Sequence, residues 1–452
     1  MANETIARTA AGVWQHPSVA GLRRLFYLAT PSETSFEHVY EVPDYVVKAI
    51  PYFVIFIILE AIVLQLEGKP VQRLNDAFSS VSAGLLSLFP LLLMRSMELV
   101  TYMWVYENYN LVKLPWDSPW TWWLTYLGVD FCYYWLHRMG HEVNFIWAAH
   151  SVHHSSEEYN FTTALRQSFF LKYISWMFYL PLALFLPPSI FLVHSQFSLL
   201  YQFWIHTEIV KSTGPLEYIL NTPSHHRVHH GRNRYCIDKN FGGTLIIWDR
   251  IFGTFESEKE KVVYGLTHPI NSWNPIYIQT AHWQYMFSLL WTTPGLWNKL
   301  CIFIKGPGWA PGKPRLGYIT DIPDVHAPMP KYDSNVPWWC GCYAVVHFVL
   351  GIMGYLFLVS HKTSFNDTQL TVYLLYLVWT LTNVGLIYDH KWYSPISEVI
   401  RCGLFLYAGT CMSLTAPPGI VFHILRVIFV VSTCLWTVIS INACGLAVKK
   451  NN

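Results

Sequence analysis

The stretches HRMGH at residues 137–141, HSVHH at 150–154 and HRVHH at 226–230 decide how this sequence of 452 residues is interpreted. Eleven of its 20 histidines fall between His137 and His230, so more than half of them occupy a short part of the chain. Successive residues of a helix are turned by about 100°, so positions i, i+3 and i+4 share one face. Each HxxHH stretch therefore places three imidazoles on one helix face, and HxxxH places two.

Eight histidines arranged in this way suit a metal centre better than a hydrophobic core. One metal ion takes three or four imidazoles when it keeps positions open for water or substrate, so eight imidazoles predict a site for two ions. The predicted ligands are His137, His141, His150, His153, His154, His226, His229 and His230.

The composition places this centre in a membrane protein. Charged residues make up 13% of the chain, against about 25% in a typical soluble domain, and apolar residues make up 53%. The net charge of +2 gives no electrostatic basis for binding nucleic acid. We therefore expect membrane lipid around the chain and no nucleic-acid partner.

Nine apolar segments have about the length that a membrane crossing requires, since roughly 20 helical residues span a hydrocarbon core of about 30 Å. The sequence thus predicts an all-α, polytopic integral membrane protein. The segments are 51–66, 81–103, 119–136, 169–187, 189–205, 338–359, 370–388, 397–415 and 419–448.

The C-terminal sequence KKNN orients these segments. It resembles the dilysine signal by which cytosolic coat proteins (COPI) return proteins to the endoplasmic reticulum, and its alternative is a pair of lysines that snorkel to the membrane surface. Either interpretation leaves the C-terminus in the cytosol. Counting back four segments places residues 211–337 on the cytosolic side, so we expect a multi-pass protein of the endoplasmic reticulum whose histidine centre faces the cytosol.

Four regions follow from the pattern along the chain. Residues 1–114 form an N-terminal segment with the first membrane helices, and 115–305 form a catalytic domain with the three histidine stretches. Residues 306–337 are rich in Gly and Pro and predict a linker. Residues 338–452 predict a C-terminal unit of four membrane helices that ends in the dilysine tail.

The identity of the metal follows from the chemistry around the histidines. Imidazole suits zinc, copper and iron alike. A hydrolytic dizinc site normally includes carboxylates. The three stretches contain no acid, and the only acid directly beside one of them is Glu142, which follows the first stretch. Eight histidines beside an apolar, aromatic-rich interior point instead to two iron ions that activate dioxygen and oxidise a lipid C–H bond.

The order, spacing and membrane context of the three stretches resemble the fatty acid hydroxylase superfamily of membrane diiron enzymes, over about residues 115–260. Four longer stretches are similar to the ether-lipid monooxygenases within it: 33–46, 150–168, 221–233 and 238–255. Phe241 is a small departure, because many members of the superfamily have Tyr at that place.

This resemblance implies a reaction. Tetrahydrobiopterin would supply electrons, two Fe²⁺ ions would activate dioxygen, and the alkyl carbon next to the ether oxygen of an alkylglycerol or lyso ether lipid would be hydroxylated. The hemiacetal would break down to a fatty aldehyde and a glycerol derivative. The rival enzyme is a cytochrome b5-dependent sterol or fatty acyl hydroxylase or desaturase of the same superfamily, and a remote alternative is a membrane metal transporter.

Three further residues are candidates for the site. Related hydroxylases place an additional histidine between the second and third stretches, so His206 is a ninth candidate ligand, with a core histidine as the alternative. Glu142 would contact the pterin or orient an imidazole. Asp130 lies seven residues before His137 in a predicted span, on the same helix face, which predicts a carboxylate partner for that imidazole.

Other residues near the histidine stretches have less specific roles. Four residues after the second stretch are expected to close the site or bind cofactor, with a solvated loop as the alternative for the two glutamates: Glu157, Glu158, Asn160 and Arg166. His225 is expected beside the ligands rather than among them, and His194 is expected to make a structural hydrogen bond.

Overall fold

The computed structural model describes residues 16–93, 97–413 and 419–450, and their regular secondary structure is helical. Within these residues, extended pairing is limited to two isolated antiparallel bridges, Leu220 with Leu245 and Gly231 with Tyr264. The all-α prediction is therefore confirmed. The chain divides into two compact units, one formed by the described residues of Met1–Ile270 with Gln279–Lys331, the other by those of Asn271–Ile278 with Tyr332–Asn452.

In the described residues, fourteen α-helices precede the C-terminal region. They are α1 (Pro17–Arg24), α2 (Pro31–Thr34), α3 (Tyr45–Leu66), α4 (Leu74–Leu93), α5 (Met97–Tyr109), α6 (Pro119–Glu142), α7 (Asn144–His154), α8 (Phe161–Ala164), α9 (Lys172–Tyr179), α10 (Pro188–Trp204), α11 (Pro223–His229), α12 (Ile247–Phe252), α13 (Pro275–Thr292) and α14 (Leu296–Ile304). The first residues of helix α13, up to Ile278, are assigned to the second unit, and the rest of the helix is assigned to the first.

The longest of these helices in the first unit, α6, carries the first histidine stretch. Pro119 begins it, because its fixed φ suits a first helical position and its missing N–H would have no partner there. Buried residues recur every three or four positions along α6, which turns one face toward α7, α9 and α10. Val143, with φ −124° and ψ 113°, ends the helix and separates it from α7 by one residue.

Aromatic side chains form part of the core that packs against α6. Tyr102 of α5 stacks on Phe191 of α10 with ring centroids 4.1 Å apart. The Tyr102 hydroxyl also donates a hydrogen bond to the Leu186 carbonyl at 3.1 Å. A buried hydroxyl needs such a partner, so Tyr102 both fills the core and ties α5 to the start of α10.

Four helical segments in the described residues are long and apolar enough to cross a membrane: Val39–Leu66, Trp338–Ser360, Asp367–Tyr388 and Ile420–Asn442. The prediction of nine spans is not confirmed. The segment 169–187 is not a single crossing helix, because it forms the eight-residue α9 and a short 3-10 helix at Leu180–Leu184. Eight helical residues rise only about 12 Å.

The remaining predicted spans are helical but shorter, interrupted or more polar. The segment 81–103 covers parts of α4 and α5, and residues 94–96 between them lie outside the described residues. Residues 119–136 belong to α6, whose buried face includes Asp130, and 189–205 corresponds to the 17-residue α10.

The second unit contains α15 (Trp338–Ser360), α16 (Asp367–Tyr388), α17 (Ser394–Ser413) and α18 (Ile420–Lys450). The side chain of Asn366 begins α16 by accepting a hydrogen bond from the backbone N–H of Gln369 at 2.9 Å. Residues 414–418, which include the last two residues of the predicted span 397–415, lie outside the described residues, as do Asn451 and Asn452 of the C-terminal sequence.

A buried polar network joins all four helices of this unit. At its centre Arg401 and Glu398 of α17 form an ion pair, with 1% and 2% of their side chains exposed. Arg401 also bonds to His347 Nδ1 of α15 at 2.8 Å, and His347 Nε2 lies 2.9 Å from the Ser432 hydroxyl of α18. Asn383 of α16 donates to Glu398.

Candidate metal centre

The three histidine stretches lie on three helix ends. HRMGH forms the last turns of α6 and HSVHH ends α7, so the single extended residue between these helices brings the two stretches together. HRVHH occupies α11, which begins at Pro223 after the extended Thr222 and ends one residue before His230. All eight predicted ligands, and His206 after α10, are buried.

The structure brings nine histidines into two groups, each with all its candidate ligand atoms within 4.8 Å of one another. The first group contains five imidazoles, and the second contains four, including His206. The first group is His137, His141, His150, His154 and His229, and the second is His153, His206, His226 and His230.

Nε2 atoms face one another within the first group. His150 Nε2 lies 3.0 Å from His137 Nε2 and 3.1 Å from His154 Nε2. His229 Nε2 lies 3.1 Å from His154 Nε2. The stretches on α6, α7 and α11 therefore all contribute to this group.

His206 Nε2 is the centre of the second group. It lies 3.0 Å from His226 Nε2 and 3.2 Å from the Nε2 atoms of His153 and His230. The two groups are adjacent, because the rings of His154 and His230 stack with centroids 4.3 Å apart. Two neighbouring groups match the sequence prediction of a site for two ions.

The other ring nitrogen of four of these histidines is held by the main chain. The Nδ1 atoms of His137, His153, His206 and His229 lie 2.6–2.9 Å from the carbonyl oxygens of Phe241, Arg166, Gln202 and Lys239. A carbonyl can only accept, so each Nδ1 carries the proton and donates it. In a neutral imidazole, the facing Nε2 is then an acceptor with a lone pair directed into the group.

Electrostatics keep these imidazoles neutral. Burial lowers the pKa of His153 to about 4, and the Arg166 carbonyl that accepts from it opposes the shift only in part. Burial, followed in most cases by neighbouring imidazoles, holds the pKa values of seven others well below 6.5: His137, His150, His154, His206, His226, His229 and His230. Neutral imidazole is the form that binds metal.

This donor set fits metal ions. The Nε2 atoms of His153 and His206 are both acceptors in the neutral rings and lie 3.2 Å apart, so they repel one another, whereas a cation between them would satisfy both. His141 Nε2 has no hydrogen-bond partner among the described residues. Its Nδ1 lies 3.5 Å from an oxygen of Asp238. Backbone or carboxylate partners of this kind commonly orient metal-bound histidines.

Comparisons with known proteins match both units of the chain. A fatty acid hydroxylase family profile matches residues 122–254, which include all nine histidines, and a profile of the alkylglycerol monooxygenase C-terminal domain matches residues 340–429. Alkylglycerol monooxygenase of Xenopus tropicalis is 51% identical over 417 residues, covering 92% of this chain and 93% of its own length.

The chain belongs to the alkylglycerol monooxygenase family.

Two other relatives of the family agree. The alkylglycerol monooxygenases of Homo sapiens and Danio rerio are 53% and 47% identical, covering 85% and 96% of this chain and 87% and 97% of their own lengths. No solved structure gives a significant match. The superfamily resemblance inferred from the histidine stretches is thus confirmed, and the alkylglycerol monooxygenase match extends it over most of the chain.

Asp130 does not contact His137 in the way the sequence predicted. Its carboxylate accepts hydrogen bonds from the backbone N–H groups of Thr244 and Leu245 at 2.7 and 3.1 Å, and from the indole of Trp248 at 2.9 Å. His137 instead donates to the Phe241 carbonyl. Asp130 therefore anchors the loop that carries this carbonyl and reaches the imidazole only through it.

Replacing Asp130 with alanine should weaken metal retention about 10- to 100-fold, the usual cost of losing an outer partner of a ligand. Two buried backbone donors would also lose their acceptor, which costs about 1–3 kcal/mol each. Metal per chain and the thermal midpoint measure the two effects. Asp130→Asn, which keeps one acceptor oxygen, is the matched control. Unchanged metal content in the alanine variant would show that the loop needs no anchor.

Glu142 lies between two arginines. One oxygen accepts from Arg138 Nε at 2.7 Å, and the other from Arg315 Nη1 at 2.8 Å. The described structure gives it no hydrogen bond to an imidazole. Its proposed role in orienting a ligand thus has no contact to support it, while contact with a pterin stays a prediction.

The remaining candidates lie outside the two histidine groups. The guanidinium of Arg166 pairs with Asp76 at 3.0 Å, so it holds the carbonyl that orients His153. His225 belongs to neither histidine group, and its Nδ1 lies 3.4 Å from the Thr222 hydroxyl. His194 Nδ1 pairs with the Tyr27 hydroxyl at 2.8 Å, which agrees with the structural hydrogen bond predicted for it.

Sequence reasoning missed the loop that follows the third stretch. Asp238 and Asn240 have φ values of 55° and 56°, and the loop they shape presents the Lys239 and Phe241 carbonyls to His229 and His137. Asp and Asn adopt such left-handed conformations more readily than most residues. The sequence DKNFGG at residues 238–243, which begins eight residues after His230, was the available indication of a tight loop.

Proposed function

We propose that this protein is a tetrahydrobiopterin-dependent diiron monooxygenase that hydroxylates the ether-linked alkyl carbon of alkylglycerols. The observation that supports it most is the convergence of nine buried imidazoles in two adjacent groups. Relatives whose names state this substrate class and reaction type match nearly the whole chain, which supports the substrate assignment.

Each histidine group would hold one iron ion. The five imidazoles around His150 would bind one ion and the four around His206 the other. With its ions and an electron donor bound, the centre would supply the oxidising power to insert one oxygen atom of O₂ into the C–H bond beside the ether oxygen. The resulting hemiacetal would break down to a fatty aldehyde and a glycerol derivative.

The residues of this chain would contribute orientation and exclusion of water. Four backbone carbonyls fix imidazole directions before any ion binds, so little reorganisation is needed. Burial lowers the pKa of eight of the nine imidazoles and so favours their neutral form, and it limits water around them. Asp130 and Arg166 hold two of the carbonyls in place.

The membrane arrangement is proposed in the same way. The part of the chain that the structure describes contains four helices that can cross a membrane by length and composition. We propose that more segments enter the bilayer, that the centre faces the cytosol, and that the protein resides in the endoplasmic reticulum. Recognition of the C-terminal KKNN by COPI stays a prediction, since its last two residues lie outside the described residues.

Product analysis tests this proposal. Full-length protein, purified without oxygen and loaded with iron, is supplied with an alkylglycerol, tetrahydrobiopterin and O₂. We expect a fatty aldehyde in proportion to the pterin oxidised. Activity with cytochrome b5 and none with the pterin would instead identify the rival hydroxylase or desaturase. Metal flux into vesicles without substrate oxidation would identify a transporter.

A further inference from the structure

Glu60 is an acid in a helix that is otherwise apolar enough to cross a membrane. It lies in α3 and is only 2% exposed. Phe53 and Phe56 share its helix face, and they pack against Phe203 and Phe161 with ring centroids 4.2 and 5.6 Å apart. A carboxylate among such neighbours is costly unless donors satisfy it, and acids in apolar helices usually serve a function.

Two segments of the first unit provide the donors. Glu60 Oε2 accepts a hydrogen bond from the backbone N–H of Phe161 at 2.9 Å, and Oε1 accepts from the Thr207 hydroxyl at 2.6 Å. Phe161 begins α8, a few residues after the second histidine stretch. Thr207 directly follows His206. Glu60 therefore joins the segment after one ligand set to the turn that carries the isolated ninth histidine.

The same two segments are joined a second time closer to the metal centre. The Tyr159 hydroxyl donates to the Ile205 carbonyl at 2.8 Å. The Tyr159 ring stacks on His206 at 27°, with ring centroids 5.5 Å apart. Arg227, from the third stretch, donates to the Thr207 carbonyl at 3.2 Å. The turn at 205–207 is thus held from three directions, and Glu60 provides the contact from the membrane helix.

We propose that Glu60 is a positioning residue for the second histidine group and acts through Thr207 on His206. The inference rests on the proposed function, since it assumes that each group binds an ion. His206 Nε2 lies within 3.2 Å of the Nε2 atoms of all three other members of its group, so a shift of its turn affects the whole group. The first group receives no ligand from residues 205–207.

Titration with Co²⁺ tests this assignment, because cobalt absorption reports the number of bound ions and their coordination. The full-length protein is purified in detergent and stripped of metal. We expect wild type to bind two ions per chain. Glu60→Ala should bind the ion of the first histidine group as wild type does. It should bind the ion of the second group about 10- to 100-fold more weakly. Glu60→Gln, which keeps one acceptor oxygen, should fall between them.

Two further variants separate positioning from general destabilisation. Tyr102→Phe removes a buried hydrogen bond to the Leu186 carbonyl that involves no histidine, and should keep both ions. Thr207→Val removes the hydroxyl donor without changing α3, so it tests the same path if Glu60→Ala does not fold, and it should weaken the same ion. The cobalt spectrum of the ion that remains should be unchanged.

Two outcomes would overturn the inference. One is wild-type affinity for both ions in Glu60→Ala and Thr207→Val. The other is a parallel loss of both ions, which indicates general unfolding. A wild-type protein that binds fewer than two Co²⁺ ions per chain would contradict the proposed diiron function itself. The titration of wild type alone gives this result, so it is distinguished from a failure of the Glu60 inference.

Discussion

Replacing His206 with alanine is expected to leave one tightly bound metal ion where wild type holds two, and to reduce aldehyde formation by more than about 100-fold. Loss of an outer hydrogen bond to a ligand already costs about 10- to 100-fold, and loss of the ligand costs more. His206 Nε2 lies 3.0–3.2 Å from the Nε2 atoms of His226, His153 and His230. Its removal would leave three imidazoles without their common neighbour.

The chain provides a matched control for this variant. His225 is buried and directly precedes the third stretch, yet its imidazole belongs to neither group. His225→Ala should keep two ions and should lose far less activity than His206→Ala. Elemental analysis of iron per chain and quantification of the aldehyde measure both effects. Two ions and wild-type turnover in His206→Ala would remove this residue from the proposed ligands.

Replacing Glu398 with alanine should destabilise the second unit by about 3–5 kcal/mol, the usual cost of breaking a buried ion pair. Only 1% of the Arg401 side chain is exposed, so the variant would leave a cation without its counter-charge. Cys402, the next residue, is fully buried and reports the change. We expect faster maleimide labelling of Cys402 and a lower thermal midpoint.

A double variant isolates the uncompensated charge as the cause. Glu398→Leu with Arg401→Met removes both charges and keeps similar volumes, and such replacements are often neutral or stabilising. We expect the double variant to recover much of the stability lost in Glu398→Ala. If it is no more stable than the single variant, the hydrogen bonds of His347 and Asn383 matter more than the charges.

The histidine pattern predicted much of the centre because helix geometry converts spacing into direction. Residues 150, 153 and 154 lie on one short helix, and their relative positions follow from 100° per residue. The division of neighbouring His153 and His154 between two groups was not predicted. It depends on which α11 histidine faces each of them, and that is set by tertiary packing.

The membrane segments and Asp130 show the limits of local patterns. Hydropathy predicted a membrane span at 169–187. Pro181 and the Pro187-Pro188 pair instead divide this region into short helical pieces. For Asp130 the helix face was predicted, yet its partners lie more than 100 residues later in the chain. Spacing within one helix carries no information about such partners.

The backbone carbonyls that orient four imidazoles have a consequence for substitutions near the centre. Every residue has a backbone carbonyl, so a substitution at position 239 or 241 does not by itself remove the acceptor of His229 or His137. Phe in place of the Tyr expected from the superfamily therefore leaves the hydrogen bond from His137 in place, while the buried Phe241 ring packs against His141 with ring centroids 5.2 Å apart. Changes that alter the path of the loop would instead move these carbonyls away from the imidazoles they orient.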